Sequence, residues 1–264
     1  MKELAVNSGD NGWRDERFSN GLSGQGLNIL YSKTRIVELD SAVLEKNKVI
    51  CGSGTDEKTG AYKLLRTQIL HRIREHNWKS LAIASPGAGD GRTLTAINLA
   101  ISLARDVNHT VLLVDLDMRC PSIANYLGIN PMAGIDDCLL DNVPVEEALF
   151  NPGIERLVVL PCRNAFSGSS ELLSSPAMQK LAEELKARYP ERLVIYDLPP
   201  LLARDDLLAF SPHVDAALLV AREGKTRKAD LQRAMEMLKS VNIVGTNVRI
   251  RRQPRRPAAR RGMR

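Results

Sequence analysis

The sequence predicts an α/β protein built on a doubly wound, mostly parallel sheet with helices on both faces. Three observations predict it: short runs that are apolar throughout recur between helical stretches, a glycine-rich segment joins one such run to a helix, and aspartates end two others. Strands buried on both faces read as continuous apolar runs, and their alternation with helices produces parallel βαβ units. A chain of 264 residues suits one such domain with short extensions, and an apolar fraction of 44% supplies an ordinary core.

Taken in order, residues 1–55 are rich in Asn, Gly, Ser and charge, with only short apolar patches such as "LNILY" and "RIVEL", and predict a mobile arm. From Gly60, "AYKLLRTQILHRI" sets Tyr62, Leu65, Ile69 and Ile73 on one face of a helix. "SLAIAS" (80–85) predicts a strand, and Leu94, Ile97 and Ile101 mark one face of a helix through Ala104. Further strands are predicted at 110–118, 156–162, 192–200, 216–221 and 242–248, with helices at 175–189 and 227–241. The domain therefore spans 56–247. Residues 248–264 are dominated by Arg, Pro and Ala, cannot bury a core, and predict a disordered tail.

The net charge of +6 comes from that tail, which holds eight arginines from Arg249 onward and no acid, leaving the rest of the chain at −2. Any attraction to nucleic acid or an anionic surface would belong to the tail alone, and an aromatic content of 4% weakens a stacking-based reading. The cysteines at 51, 120, 138 and 162 form no close pair and make no ligand spacing with histidine. No apolar run approaches membrane-spanning length and the first residues lack a signal-peptide core, so a cytoplasmic location is expected.

The segment "SPGAGDGRT", Ser85 to Thr93, has the composition of a phosphate-binding loop. In such a loop glycines let backbone N–H groups curl around phosphate oxygens, a helix N-terminus adds its dipole, and a Thr hydroxyl binds Mg²⁺. Gly87, Gly89, Gly91 and Thr93 supply these parts, although a plain glycine-rich turn accounts for the loop taken alone equally well. Two distant motifs shift that balance. "LLVDLDMR" puts Asp115 and Asp117 at one strand end, and "LVIYDLPP" puts Asp197 at another. Ligands of open α/β sheets bind at that edge, and hard carboxylate oxygens beside phosphates are what Mg²⁺ takes.

With these motifs the chain resembles the bacterial tyrosine autokinases of exopolysaccharide loci, members of the deviant Walker A class of P-loop ATPases. The resemblance runs from about Gly60 to Thr246: "AYKLLRTQIL" is similar to the family's first helix, "SPGAGDGRTLTAINLAISLA" to Walker A, "VLLVDLDMRCPS" to Walker A′ and "VIYDLPPLL" to Walker B. "SSELLSSPAM" and "LLVAREGKT" resemble its later segments. The partition ATPases of the same class usually lack the "DLDMR" form and carry a signature lysine at the start of a loop that here contains none.

What the resemblance implies is ATP-dependent phosphorylation of tyrosines, on the protein itself and on enzymes of sugar-polymer synthesis, with a separate membrane activator as partner. It implies nucleotide contacts at Gly87, Gly89, Asp90, Gly91, Arg92, Thr93, Leu94 and Arg119. Metal contacts would come from Thr93, Asp115 and Asp197, and catalytic roles would fall to Asp115, Asp117 and Arg92. Asp115 would take the tyrosine hydroxyl proton.

Three departures qualify that picture. Arg92 stands where a P-loop carries lysine, and a planar guanidinium does not replace a compact ammonium between β- and γ-phosphate oxygens. The family's Glu-x-x-Arg-x-x-Arg contact motif falls on Gly60, Lys63 and Arg66, so only weak self-association is expected. The tyrosines are Tyr31, Tyr62, Tyr126, Tyr189 and Tyr196, with none past Asn247, where the family clusters its phosphate acceptors. Two function classes follow: a tyrosine kinase with impaired self-labelling, or a nucleotide-binding regulator without catalysis. A partition-type ATPase is a third, weaker reading.

Overall fold

The six apolar runs pair side by side in a computed structural model that describes residues 34–50, 57–188 and 191–249. They become β2 (Ser80–Ala84), β3 (Thr110–Asp115), β5 (Leu157–Leu160), β6 (Arg192–Asp197), β7 (Ala216–Arg222) and β8 (Asn242–Arg249). Two-residue strands, β1 (Arg35–Ile36) and β4 (Phe150–Asn151), extend one edge, giving the order β1-β4-β5-β3-β6-β2-β7-β8. Every pairing is parallel except β4 with β5. The fold is thus the doubly wound, mostly parallel α/β sheet that the sequence predicts.

Alternation along each strand divides the core in two. Leu81, Ile83, Val111, Leu113 and Ile195 face one layer, while Ala82, Ala84, Leu112, Val114 and Tyr196 face the other. The first layer is covered by α2 (Glu57–His76) and α3 (Arg92–Ala104). Ile69 and Ile73 of α2 pack there with Tyr62 and Leu65 beside them, as their helical spacing predicts. The second layer is covered by α8 (Pro176–Ala187) and α9 (Asp206–Phe210), with Tyr196 set edge-on to Phe210 at a 4.8 Å centroid distance. Ser175 caps α8 by accepting the Met178 N–H, and Pro176 occupies the first turn, where its missing N–H costs nothing.

Residues 34–50 depart from the expected arm. They carry β1, which pairs with β4, and α1 (Ser41–Lys46), and they place Leu44, Val49 and Ile50 in the first core layer. The Ile50 N–H donates to Asn98 Oδ1 of α3 at 2.9 Å, tying this segment to the helix after the glycine loop. The reason is local: an apolar residue every few positions is enough to bind a short segment to an edge that α3 already offers. The expected Arg-rich tail lies outside the described residues apart from its first two positions, which end β8.

The strand order creates the crevice that matters for function. From β2 the chain crosses β6 to reach β3, whereas from β6 it crosses β2 to reach β7. Connections therefore diverge between β2 and β6, and the loop after β2 opens at the same sheet edge as the ends of β3 and β6.

Candidate functional site

The glycine segment turns from β2 into α3. Gly89 (φ 73°) and Gly91 (φ 95°) adopt the left-handed backbone that side-chain-bearing residues disfavour, and Gly91 caps α3. This exposes the first-turn N–H groups of α3, which have no intrahelical acceptors, toward the crevice. The loop also holds itself in shape: Asp90 Oδ2 accepts the Gly87 N–H at 3.0 Å, and the Ser85 hydroxyl donates to the Gly87 carbonyl at 2.9 Å. From outside, Lys225 Nζ donates to the Ala88 carbonyl, and Arg222 donates to the Gly89 carbonyl at 3.1 Å.

The carboxylates converge because β3 and β6 are neighbours. Register sets Asp115 opposite Asp197, and both are fully buried. Asp115 Oδ2 accepts the Ser122 and Ile123 N–H groups, each at 2.9 Å, at the start of α4 (Ile123–Leu127), and its Oδ1 accepts the Asp117 N–H at 3.2 Å. Arg92 Nε donates to Asp197 Oδ1 at 3.0 Å, and its terminal nitrogen donates to Asp117 Oδ2 at 2.5 Å. Thr93 Oγ1 accepts from the Ser122 hydroxyl at 3.3 Å.

Burial raises all three aspartates above the usual carboxylate range. For Asp115 the Asp197 charge adds to burial while the Ile123 and Ser122 N–H groups oppose it, and for Asp117 and Asp197 the Arg92 guanidinium is the main opposing influence. One guanidinium thus pairs with two of the three buried carboxylates, Asp117 and Asp197. Asp197 Oδ2 is fully enclosed without a hydrogen-bond partner among the described residues, as are both oxygens of Asp206 at the start of α9. A set of buried carboxylates this short of positive charge suits an added cation. Thr93, Asp115 and Asp197 fit Mg²⁺ on that ground, and the glycine turn with its helix N-terminus fits a phosphate chain.

The structure thus brings Thr93, Asp115, Asp117 and Asp197 together at one sheet edge, beneath the loop that carries Gly87, Gly89 and Gly91. Arg92 belongs to the same cluster, but its side chain turns inward, 7% exposed, rather than toward the mouth of the loop. Asp90 has its carboxylate turned into the loop, and Leu94 packs its side chain in the first core layer, so either can meet a ligand only through its backbone. Arg119 lies to one side, its Nε donating to the Ser169 hydroxyl at 2.9 Å. The sequence reading missed Asp206, Ser122, Arg222 and Lys225. Only "LLVAREGKT" signalled the last two, and nothing in residue order places that segment against a loop more than 130 residues earlier.

Comparison with known proteins agrees with this geometry. Residues 78–214 match the AAA domain family. The chain is 31% identical over 195 residues to tyrosine-protein kinase YwqD of Bacillus subtilis (strain 168), covering 74% of this chain and 81% of that protein. It is 26% identical over 188 residues to putative tyrosine-protein kinase EpsB of Ralstonia solanacearum, but spans only 25% of that longer protein. Among solved structures, the kinase domain of Escherichia coli tyrosine kinase ETK superposes with a TM-score of 0.71 at 24% identity, covering 86% of this chain and 87% of that one. The cell division ATPase MinD of Pyrococcus furiosus gives 0.54 at 23% identity, over 64% and 70%.

Proposed function

The chain belongs to the AAA domain family and, within it, to the bacterial tyrosine-protein kinases, and from that membership we propose that it binds ATP with Mg²⁺ and phosphorylates tyrosines of other proteins in exopolysaccharide synthesis. The observation that carries the reading is the register of β3 and β6, which sets Asp115 against Asp197 directly below the glycine loop. Burial of these carboxylates costs stability, and the cation that a bound nucleotide brings would offset that cost.

In the transfer, the tyrosine oxygen forms a bond to the γ-phosphorus as the bond from that phosphorus to the β-bridging oxygen breaks, and ADP leaves. Bound Mg²⁺ would supply charge neutralisation on the phosphate oxygens. The protein's own residues do the rest. Backbone N–H groups of the loop and of the first turn of α3 orient the phosphates. Thr93 and Asp197 would hold the metal, and Asp115, with one lone-pair direction beyond its three backbone bonds, would help to place it and receive the tyrosine hydroxyl proton. Asp117 and Arg92 keep this carboxylate cluster in place.

A membrane-anchored partner is part of the proposal. What supports it is kinship with the bacterial tyrosine-protein kinases, a resemblance that implies a separate membrane activator. A second reading, nucleotide binding without transfer, draws on Arg92: a guanidinium engaged by two carboxylates leaves no cation of the loop facing the phosphates. Calorimetry with ATP and ADP in Mg²⁺ tests the site common to both readings. The wild type should bind and an Asp115→Ala, Asp197→Ala double variant should bind far more weakly. Equal binding by both, or by neither, would refute the site.

A further inference from the structure

We propose that Lys225 is the phosphate-contacting cation of this site, taking over the role that a lysine within the loop would fill; this rests on reading the glycine loop as a nucleotide site. The first observation concerns the loop's own cation. Arg92 spends Nε on Asp197 and a terminal nitrogen on Asp117, and its remaining terminal nitrogen lies 3.5 Å from the Ser85 hydroxyl. Drawing it outward would leave two buried carboxylates without their counter-ion, which is costlier than leaving a phosphate without one cation at an open mouth.

The second observation is where Lys225 sits. It follows β7 in a turn with its own internal bonds. The Lys225 and Thr226 N–H groups donate to the Arg222 carbonyl at 3.1 and 2.9 Å, the Arg222 N–H donates to Thr226 Oγ1 at 2.8 Å, and Gly224 takes a left-handed φ of 69°. That turn lays the lysine across the glycine loop. Nζ bonds to the Ala88 carbonyl, and a methyl group placed on Gly89 would come within 2.6 Å of it. Arg222 fixes the same strand of loop by its bond to the Gly89 carbonyl.

Third, the ammonium is available. Lys225 is exposed and makes no ion pair among the described residues, and its acceptor is a neutral carbonyl. A phosphate oxygen would be the stronger acceptor, since hydrogen bonds between charged partners are about twice as strong as neutral ones. A cleft of about 440 Å³ opens between the two segments, lined by Pro86, Gly87 and Asp90 on one side and Lys225, Thr226 and Arg227 on the other. Swung off the Ala88 carbonyl, the ammonium would meet the outward end of a phosphate chain seated on α3, so its contact should distinguish a triphosphate from a diphosphate.

The test is calorimetric titration of the full chain with ATP and with ADP in Mg²⁺. The proteins compared are wild type, Lys225→Ala, Lys225→Arg and, as a charge control, Lys239→Ala, two residues past the end of the helix that follows the turn (Lys228–Met237). Thermal melts of the exposed-residue variants confirm that each is folded. Lys225→Ala should lose about ten-fold or more in ATP affinity, as expected for one charge-assisted contact, while its ADP affinity stays within about two-fold. Lys225→Arg should recover part of the loss, and Lys239→Ala should match wild type. Wild-type ATP affinity in Lys225→Ala, or equal losses for ATP and ADP, would overturn the assignment while leaving the nucleotide site standing. Absence of binding by the wild type itself would remove the site and this inference with it.

Discussion

Arg92 and Asp197, 105 positions apart in sequence, meet through a 3.0 Å bond from guanidinium Nε to carboxylate Oδ1 in a place where Asp197 is fully buried. The same guanidinium also holds Asp117, through a terminal nitrogen. Removing it would strand two carboxylates below the loop. Arg92→Ala should therefore cost roughly 3–5 kcal/mol of stability at neutral pH, read by urea denaturation. A change under about 1 kcal/mol would show that the pairs carry little of the fold's stability.

A second ion cluster predicts a pH dependence away from the site. Burial would raise Asp215, but the Lys79 N–H, Lys186 and the hydroxyl and N–H of Ser80 outweigh it, so its carboxyl lies below the usual range. A depressed folded-state pKa contributes stability that is present above the unfolded value, about 3.9, and lost as pH falls through the folded value. Asp215→Asn should accordingly destabilise the protein by about 1–3 kcal/mol at pH 7, with the gap closing toward acid. Melting curves between pH 7 and 3 check it; a constant gap would contradict the assignment.

Association through α2 should be weak. Gly60 offers no carboxylate, and Arg66 is occupied within its own chain, donating to the Ser102 carbonyl at the end of α3 at 3.0 Å. Light scattering at micromolar protein should find monomer or a small oligomer. A stable ring would show that other surfaces drive assembly.

Much of this architecture is readable from residue order because its signals are local. β2, β3 and β6 are buried at every position and apolar between their ends since both faces are covered, and Ile69 and Ile73 recur at the helical period because only one face of α2 is buried. The strand-end positions of Asp115 and Asp197 are local as well, which is why the carboxylate cluster could be anticipated. What escaped depends on tertiary placement. β1 and β4 are two residues each and hold through an edge that exists only once β5 is in place. The inward turn of Arg92 depends on Asp197 and on Asp117, two residues past β3, which come together only once β3 and β6 pair, and Lys225 reaches the loop only because β7 lies beside β2.

Self-labelling should be weak for want of acceptors. Tyr196 is fully buried between the sheet and Phe210, which leaves Tyr62 and Tyr126, both half-buried, as the remaining tyrosines among the described residues. Incubation with radiolabelled ATP should leave this chain with little phosphotyrosine. Heavy labelling, mapped by mass spectrometry to any of Tyr31, Tyr62, Tyr126, Tyr189 or Tyr196, would contradict that expectation.

The central claim, a tyrosine kinase that acts on other chains, is tested most directly by phosphate transfer from radiolabelled ATP to a tyrosine-rich tail supplied on a separate protein, with wild type and Arg92→Lys compared. The account predicts measurable labelling of the tail by wild type and about ten-fold or faster labelling by Arg92→Lys, because a compact ammonium at position 92 adds a second cation, beside Lys225, to the charge developing on the phosphate. No labelling by either protein, under conditions where both bind ATP, would contradict the claim and leave a nucleotide-binding protein without catalysis.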